Sequence, residues 1–423
     1  MVWAWLARAA ESHLTSDPTS AGFLAAAAAF VYGALYPAVF AAVYPALPRP
    51  RWLMAPAAWV VLEWIRGNAL GGAPWGLLGH SQHALLAVAQ LAELGGVGAL
   101  SFLCVLPAAA LAERGRELRD GLIAAALLLL AAAGFGGYRL AEGVPSEATA
   151  ERFRVAALSG AAADGDPMHA YVERGADLAP SDLTIWPESA VPGYLQESAP
   201  AMRDVRRAAR ERGWLLFGSR RYEGSGEARR YFNSALLLDP RGEVAGSYAK
   251  TRLVPFAERS PWPFPSLVER PYSPASDPYR TVRAGPLRLG VLICWESVFD
   301  EPTREYARQG VDLLVNLTSD RDLRDGAAQH LAFSRFRAIE TRRWLVRVSG
   351  TGETIAIDPL GRIHRGEELL SLAVPASPPG AAVHVAWLLP IASCVLLLLG
   401  IPRHRREGPG ANETSHSGTK RRS

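Results

Sequence analysis

Cysteine and net charge are what this 423-residue chain has least of. It has three cysteines, and its length already rules out a peptide-scale disulfide scaffold. Cys104 and Cys394 fall in apolar runs, which leaves Cys294 alone in the polar part of the chain and excludes a disulfide within it. The net charge of +4 is equally thin: 45 basic residues stand against 41 acidic ones. It resides wholly in the tail 402–423, where Arg403, Arg405, Arg406, Lys420, Arg421 and Arg422 face only Glu407 and Glu413. The remainder balances at 39 of each sign, so no global basic surface calls for nucleic acid. Charged residues make up 20% and hydrophobic ones 49%, too apolar a mixture for a disordered chain.

The apolar excess is concentrated in runs. Residues 19–48 carry no formal charge, and the stretch 21–46 is long enough to span a hydrocarbon core of about 30 Å at about 1.5 Å per helical residue. Further helices are expected near 52–70, where Glu63 and Arg66 lie at an interface or face a bundle interior, near 85–112, with Glu93 and three glycines, and near 121–138. A last one is expected at 380–401, ending at the basic tail. Five such runs argue against buried helices of a soluble protein, and residues 1–20 lack the basic start and apolar core of a signal peptide.

The short loops suggest an orientation, because Lys and Arg mark the cytoplasmic side. Arg49 and Arg51 lie between the first two helices, and Arg114, Arg116 and Arg119 between the third and fourth, whereas 71–83 has no basic Lys or Arg. The expected organisation is a membrane region at 1–138, an extracytoplasmic domain at 139–379, a C-terminal transmembrane helix at 380–401 and a cytoplasmic tail at 402–423 anchored beside anionic lipid.

The segment 139–379 has a different texture. Strands are expected at 153–158, 183–186, 214–218, 233–238, 287–293, 313–316, 344–348 and 354–357, and helices at 199–212, 301–309 and 327–342. This alternation argues for a layered α/β domain with a buried sheet. Residues 375–380 (Pro-Ala-Ser-Pro-Pro-Gly) read as a stiff connection to the last helix.

A lone thiol in such a domain is either an inert buried residue or a reactive one. Cys294 ends the apolar run Leu289-Gly290-Val291-Leu292-Ile293 and precedes Trp295-Glu296-Ser297, which puts a nucleophile at the edge of a sheet. Ile185-Trp186-Pro187-Glu188 sets a carboxylate just after another strand, and Tyr248-Ala249-Lys250 sets a lone Lys before Arg252-Leu253-Val254-Pro255-Phe256-Ala257-Glu258. A carboxylate can take the thiol proton, and an ammonium can hold a thiolate or a developing oxyanion.

In this order Glu188, Lys250 and Cys294 resemble the Glu–Lys–Cys triad of the nitrilase (carbon-nitrogen hydrolase) superfamily. The flanking membrane helices narrow the likeness to the apolipoprotein N-acyltransferase family. It is carried by Glu63-Trp64-Ile65-Arg66-Gly67, Ala73-Pro74-Trp75, Trp186-Pro187-Glu188, Lys250 to Glu258, Ile293-Cys294-Trp295-Glu296, and Gln329-His330 with Arg337-Ala338-Ile339-Glu340. The resemblance implies a polytopic helical membrane bundle plus an extracytoplasmic nitrilase-like α-β-β-α sandwich in a bacterial inner membrane. It implies acyl transfer in two steps: Cys294 takes a fatty acyl chain from a phospholipid, typically phosphatidylethanolamine, and the thioester yields it to the α-amine of the diacylglyceryl-cysteine of an apolipoprotein. Carried over by position, Glu188 is the base, Lys250 holds the oxyanion, and Glu258, Trp295 and Glu296 are supporting residues. No metal or dissociable cofactor and no histidine base are implied. The chain departs from the family pattern at Ala257 (Gly), Trp295 (Tyr) and Ser319-Asp320-Arg321-Asp322-Leu323 (Asn-Asp-Ala-Trp-Phe), and has no Trp in 161–177. Members usually carry additional membrane helices before the point where this chain begins.

A membrane-anchored amidase, in which water resolves the acyl-enzyme, has the same triad; a polytopic bundle favours transfer. A transporter or binding protein is disfavoured by sparse intramembrane charge, limited to Glu63, Arg66 and Glu93, and by the absence of repeats.

Overall fold

The computed structural model describes residues 6–13, 17–144, 151–160, 167–260, 268, 270–321, 323, 326–365, 369–374, 380–385 and 388–400. The tail expected at 402–423 and residues 375–379 of the expected linker lie outside them.

The chain opens with α1 (Leu6–His13) and α2 (Pro18–Ala29). Asp17 caps α2, its Oδ2 accepting from Ser20 N at 2.9 Å, with Pro18 in the first turn. A π turn at Phe30–Ala34 passes directly into α3 (Leu35–Val43), so the uncharged run behaves as one long helix, Thr19–Ala46. Then follow α4 (Arg51–Asn68), α5 (Leu86–Ala89), α6 (Ala92–Leu111) and α7 (Gly115–Glu142). Among the described residues, Thr19–Ala46, Ala92–Leu111 and Gly115–Glu142 are long and apolar enough to cross a membrane.

Two expected boundaries are corrected. The run at 85–112 is broken: α5 turns into α6 only at Ala92, and Gly96 adopts φ +67°, a conformation that a residue without Cβ enters at little cost. The run at 121–138 extends at both ends, to Gly115 and Glu142, because the Arg116–Asp120 pair and the bonds of Arg139 to Glu93 and Glu142 keep its polar ends helical. Of the last run, the described residues form α12 (Ala382–Val385) and α13 (Leu388–Gly400), with 386–387 outside them. The charges of α4 turn inward, as one of the two sequence readings had it. Glu63 accepts from Leu78 N at 2.6 Å, and Arg66 donates to Tyr32 O at 3.2 Å and Gly76 O at 3.1 Å.

The polar domain is built from β1 (Glu151–Ala157), α8 (Pro167–Asp177), β2 (Leu183–Ile185), β3 (Val191–Tyr194), α9 (Ala199–Arg212), β4 (Trp214–Glu223), β5 (Arg230–Leu238), β6 (Val244–Ala249), β7 (Val282–Ala284), β8 (Leu287–Ile293), α10 (Glu301–Arg308), β9 (Leu313–Thr318), α11 (Ala327–Thr341), β10 (Trp344–Ser349), β11 (Ile355–Ile357), β12 (Ile363–His364) and β13 (Leu369–Val374). Among the described residues the strands form two sheets, ordered β13-β1-β2-β4-β5-β6, with β3 beside β4, and β12-β11-β10-β9-β8-β7. All eight expected strands are present. Five strands were unforeseen: β3, β7 and β12 are short and β6 is half-exposed, and so carry little apolar periodicity, and β13 is the fifth.

The two sheets bury their facing sides against each other: Val155, Ile185, Leu216 and Leu237 of the first meet Leu289, Val291, Val315 and Val346 of the second in one core. Tyr171 of α8 and Val205 and Ala209 of α9 pack on the outer face of the first sheet. The outer face of the second is covered by α10 and α11, giving the α-β-β-α sandwich. The sandwich rests on the bundle through α11, whose Phe336 and Ile339 pack against Ala92, Val97 and Leu100 of α6. Arg342, just after α11, and Arg139 of α7 both pair with the buried Glu93.

Candidate active site

The nucleophile candidate sits where the buried strand β8 stops. Cys294 has φ +50°, a left-handed conformation that costs a non-glycine residue roughly 1–2 kcal/mol. The turn that follows holds it there: Ser297 Oγ donates to Cys294 O at 3.1 Å, and His330 Nε2 lies 3.1 Å from the same oxygen. Glu296 fixes both sides of this turn. Its carboxylate accepts from Ile293 N at 2.8 Å, Thr251 N at 2.7 Å, Arg252 N at 3.1 Å and the Tyr248 hydroxyl at 2.7 Å. This carboxylate therefore ties the end of β8 to the end of β6, the strand that delivers Lys250.

Lys250 is 1% exposed. Its Nζ lies 3.0 and 2.9 Å from the two carboxylate oxygens of Glu258 and 3.9 Å from Glu188 Oε1. Asn233 of β5 bridges the two acids, its Nδ2 donating to Glu188 Oε1 and Glu258 Oε1 at 2.9 Å each, and Glu258 also accepts from Val254 N at 2.8 Å. Glu188 follows β2 on a tight turn in which Ser189 has φ +54°. Gly218 of β4 passes so near that an added Cβ would meet Glu188 Cα and Pro187 O at 2.6 Å each. Gly218→Ala is therefore expected to lower stability by about 1–3 kcal/mol and to displace Glu188. Unfolding midpoints and initial rates measured on one preparation check this, and an unchanged rate would show that the turn relaxes freely.

The electrostatics follow from burial and pairing. Burial works against the Lys250 ammonium, but the Glu258 and Glu188 carboxylates outweigh it and raise its pKa, so Lys250 remains charged. Burial pushes the Glu188 carboxyl up against the pull of Lys250. Burial likewise pushes the Cys294 thiol well up, Glu188 adding to the effect and Lys250 opposing it. A neutral thiol beside a carboxylate, with a fixed ammonium between two acids, is suited to proton removal as the sulfur attacks.

Several residues close to this centre had no role in the sequence reading. Asn233 was seen only as the start of a strand. Behind Cys294 runs a buried chain in which His330 Nδ1 lies 3.0 Å from Asp320 Oδ1, Asp320 is bonded to Arg347, and Ser349 Oγ donates to Asp320 Oδ2 at 3.0 Å. Although burial opposes it, His330 and Arg347 hold the Asp320 carboxyl well below the usual carboxylate range. Trp75 reaches in from the membrane side. It stacks on Trp295 with ring centroids 5.7 Å apart, and its Nε1 donates to Gln329 Oε1 at 2.5 Å. Among the described residues no group of three or more His, Cys, Asp or Glu side chains is arranged to hold a metal ion.

These side chains open onto a cavity of about 730 Å³. One wall carries Glu188, Glu258 and Cys294; another is apolar and comes from the N-terminal helices, with Leu24, Ala25, Ala28 and Tyr32.

Residues 1–110 match the family model described as the apolipoprotein N-acyltransferase N-terminal domain, and residues 160–371 match that of carbon-nitrogen hydrolase. The apolipoprotein N-acyltransferase of Geobacter metallireducens is 35% identical over 379 residues, covering 81% of this chain and 71% of that protein. That of Azotobacter vinelandii is 34% identical over 389 residues, covering 84% and 73%. Among solved structures, Saccharomyces cerevisiae Nit3, a member of branch 10 of the nitrilase superfamily, aligns at 17% identity with a TM-score of 0.43, over 53% of this chain and 90% of that one. With relatives of this identity spanning both the bundle and the sandwich, the chain belongs to the apolipoprotein N-acyltransferase family.

Proposed function

We propose that this membrane enzyme transfers a fatty acyl chain from phosphatidylethanolamine, through a thioester on Cys294, to the α-amino group of a diacylglyceryl-cysteine at the N-terminus of an apolipoprotein. Glu188 takes the Cys294 proton as sulfur attacks the ester carbonyl, and Lys250 faces the oxyanion that forms. Collapse breaks the ester C–O bond; the glycerol oxygen leaves with the proton from Glu188, as lysophospholipid. In the second step the lipoprotein amine attacks the thioester carbonyl, Glu188 accepts the amine proton, and the C–S bond breaks to return the thiol. Glu258 keeps Lys250 in place, Glu296 locks the two loops that carry Lys250 and Cys294, and Trp295 forms an aromatic wall with Trp75. The sandwich faces the extracytoplasmic side in this proposal, with the tail in the cytoplasm. The positions of Arg49, Arg51, Arg114, Arg116 and Arg119 in short loops support that orientation.

The observation that carries the reading is the cavity: Leu24, Ala25, Ala28 and Tyr32 of the N-terminal apolar helix line it together with Cys294, Glu188 and Glu258. A hydrolase of small polar amides has no use for that wall. The test is incubation of the purified protein with phosphatidylethanolamine and a diacylglyceryl lipopeptide, read by mass. A gain of one acyl chain on the peptide is expected. An unchanged peptide with release of free fatty acid would replace transfer by hydrolysis.

A further inference from the structure

Three arginines, Arg220, Arg270 and Arg321, line the active-site cavity and are exposed at its rim. They come from separate stretches of chain, and each is one step from a residue of the centre. Arg220 on β4 stands directly opposite Asn233 on β5, so the two side chains share a face of the sheet. Arg270 lies two residues before Tyr272, whose backbone N–H donates to Glu258 O at 2.9 Å. Arg321 follows Asp320, the buried partner of His330 and Arg347.

Among the described residues, Arg220, Arg270 and Arg321 make no ion pair. The carboxylates that line the same cavity are already engaged: Glu258 with Lys250, Glu188 with Asn233 and Lys250, and Asp320 with His330 and Arg347. The mouth thus gathers three guanidinium groups that pair with no carboxylate among the described residues, and the same cavity has an apolar lining from the N-terminal helices. Planar guanidinium donors match the oxygens of phosphate, and an anion bound there would be held while its hydrocarbon part lies against the helices.

We infer that Arg220, Arg270 and Arg321 form a binding site for the phosphodiester of the acyl-donor lipid, so that the donor is selected by its phosphate before its ester meets Cys294. The identity of the lipid as acyl donor rests on the function proposed above; the phosphate preference is independent of it.

The experiment uses the full-length wild-type protein in neutral detergent and two non-cleavable lipids, ether-linked phosphatidylethanolamine and the corresponding dialkylglycerol. No lipid surface is present in such micelles, so general attraction to a charged membrane does not contribute. The phosphate-bearing lipid is expected to bind at least about tenfold more tightly, as a charge-assisted contact supplies, with the difference shrinking at high salt. Combining Arg220→Gln, Arg270→Gln and Arg321→Gln is expected to erase the difference and leave dialkylglycerol affinity unchanged, which also shows that the cavity is intact. Equal binding of both lipids by the wild type, or a preference retained in the triple variant, would overturn the assignment. A preference that persists in a protein forming no thioester with phosphatidylethanolamine would support the rim site and overturn only the acyl-enzyme reading.

Discussion

Cys294→Ala is expected to abolish acyl transfer, with a loss on the order of 10⁶ in turnover, and to leave no acyl adduct on the intact protein. The reasoning is local. In the proposed mechanism the thiol at the end of β8 is the nucleophile, and the groups beside it, Glu188 and Lys250, serve as base and cation rather than as acyl carriers. The variant keeps the fold, because the backbone at position 294 is held by bonds to its carbonyl from Ser297 and to its flanks from Glu296, none of which involves sulfur. Mass analysis of protein exposed to phosphatidylethanolamine reads the adduct directly. Transfer to a lipopeptide that survives in this variant would refute the assignment.

Lys250→Met has the second largest expected effect, and it acts on stability and rate together. Removing the ammonium leaves the Glu258 and Glu188 carboxylates buried beside each other without their cation, and breaking a buried pair in this way costs about 3–5 kcal/mol. It also removes the charge proposed to face the oxyanion, and loss of such a group typically lowers turnover by about 10²–10³. The two effects separate in a double variant. Adding Glu258→Gln removes one stranded charge, so the unfolding midpoint is expected to recover in part while single-turnover acylation stays low. Recovery of the rate along with the midpoint would mean that Lys250 only holds the structure together.

The sequence itself carried much of this centre. The end of an apolar strand marked Cys294, a strand-end Pro-Glu marked Glu188, and Lys250 stands out in another way: it and Lys420 are the only lysines among 45 basic residues. Where arginine is otherwise the default cation, a compact ammonium between two carboxylates is a chemical choice. The buried chain behind the thiol was not legible. Asp320, His330 and Arg347 lie on separate elements and meet because β9 and β10 pair in parallel, with Arg347 in register with Asn316. Nor could the role of Glu296 be read from its position after the nucleophile, since three of its four partners are backbone N–H groups of loops and strand ends. In the bundle, composition located the helices but not their breaks. The same apolar letters serve α5, the bend at Gly96 and the body of α6, and only packing against α11 distinguishes them.

Trp75 belongs to the membrane part of the chain, yet it is fully buried against Trp295, His330 and Phe333 of the sandwich, and the cavity takes one wall from each part. The bundle is thus half of the reaction vessel and cannot be exchanged for a simple tether. Grafting the sandwich onto a single-pass anchor would leave it without a floor, with Trp295 and Phe333 turned toward water and the thiol open to the solvent that competes with the amine. A substitution at Trp75 therefore acts directly on Trp295, the aromatic that follows Cys294, through the stacked pair of rings.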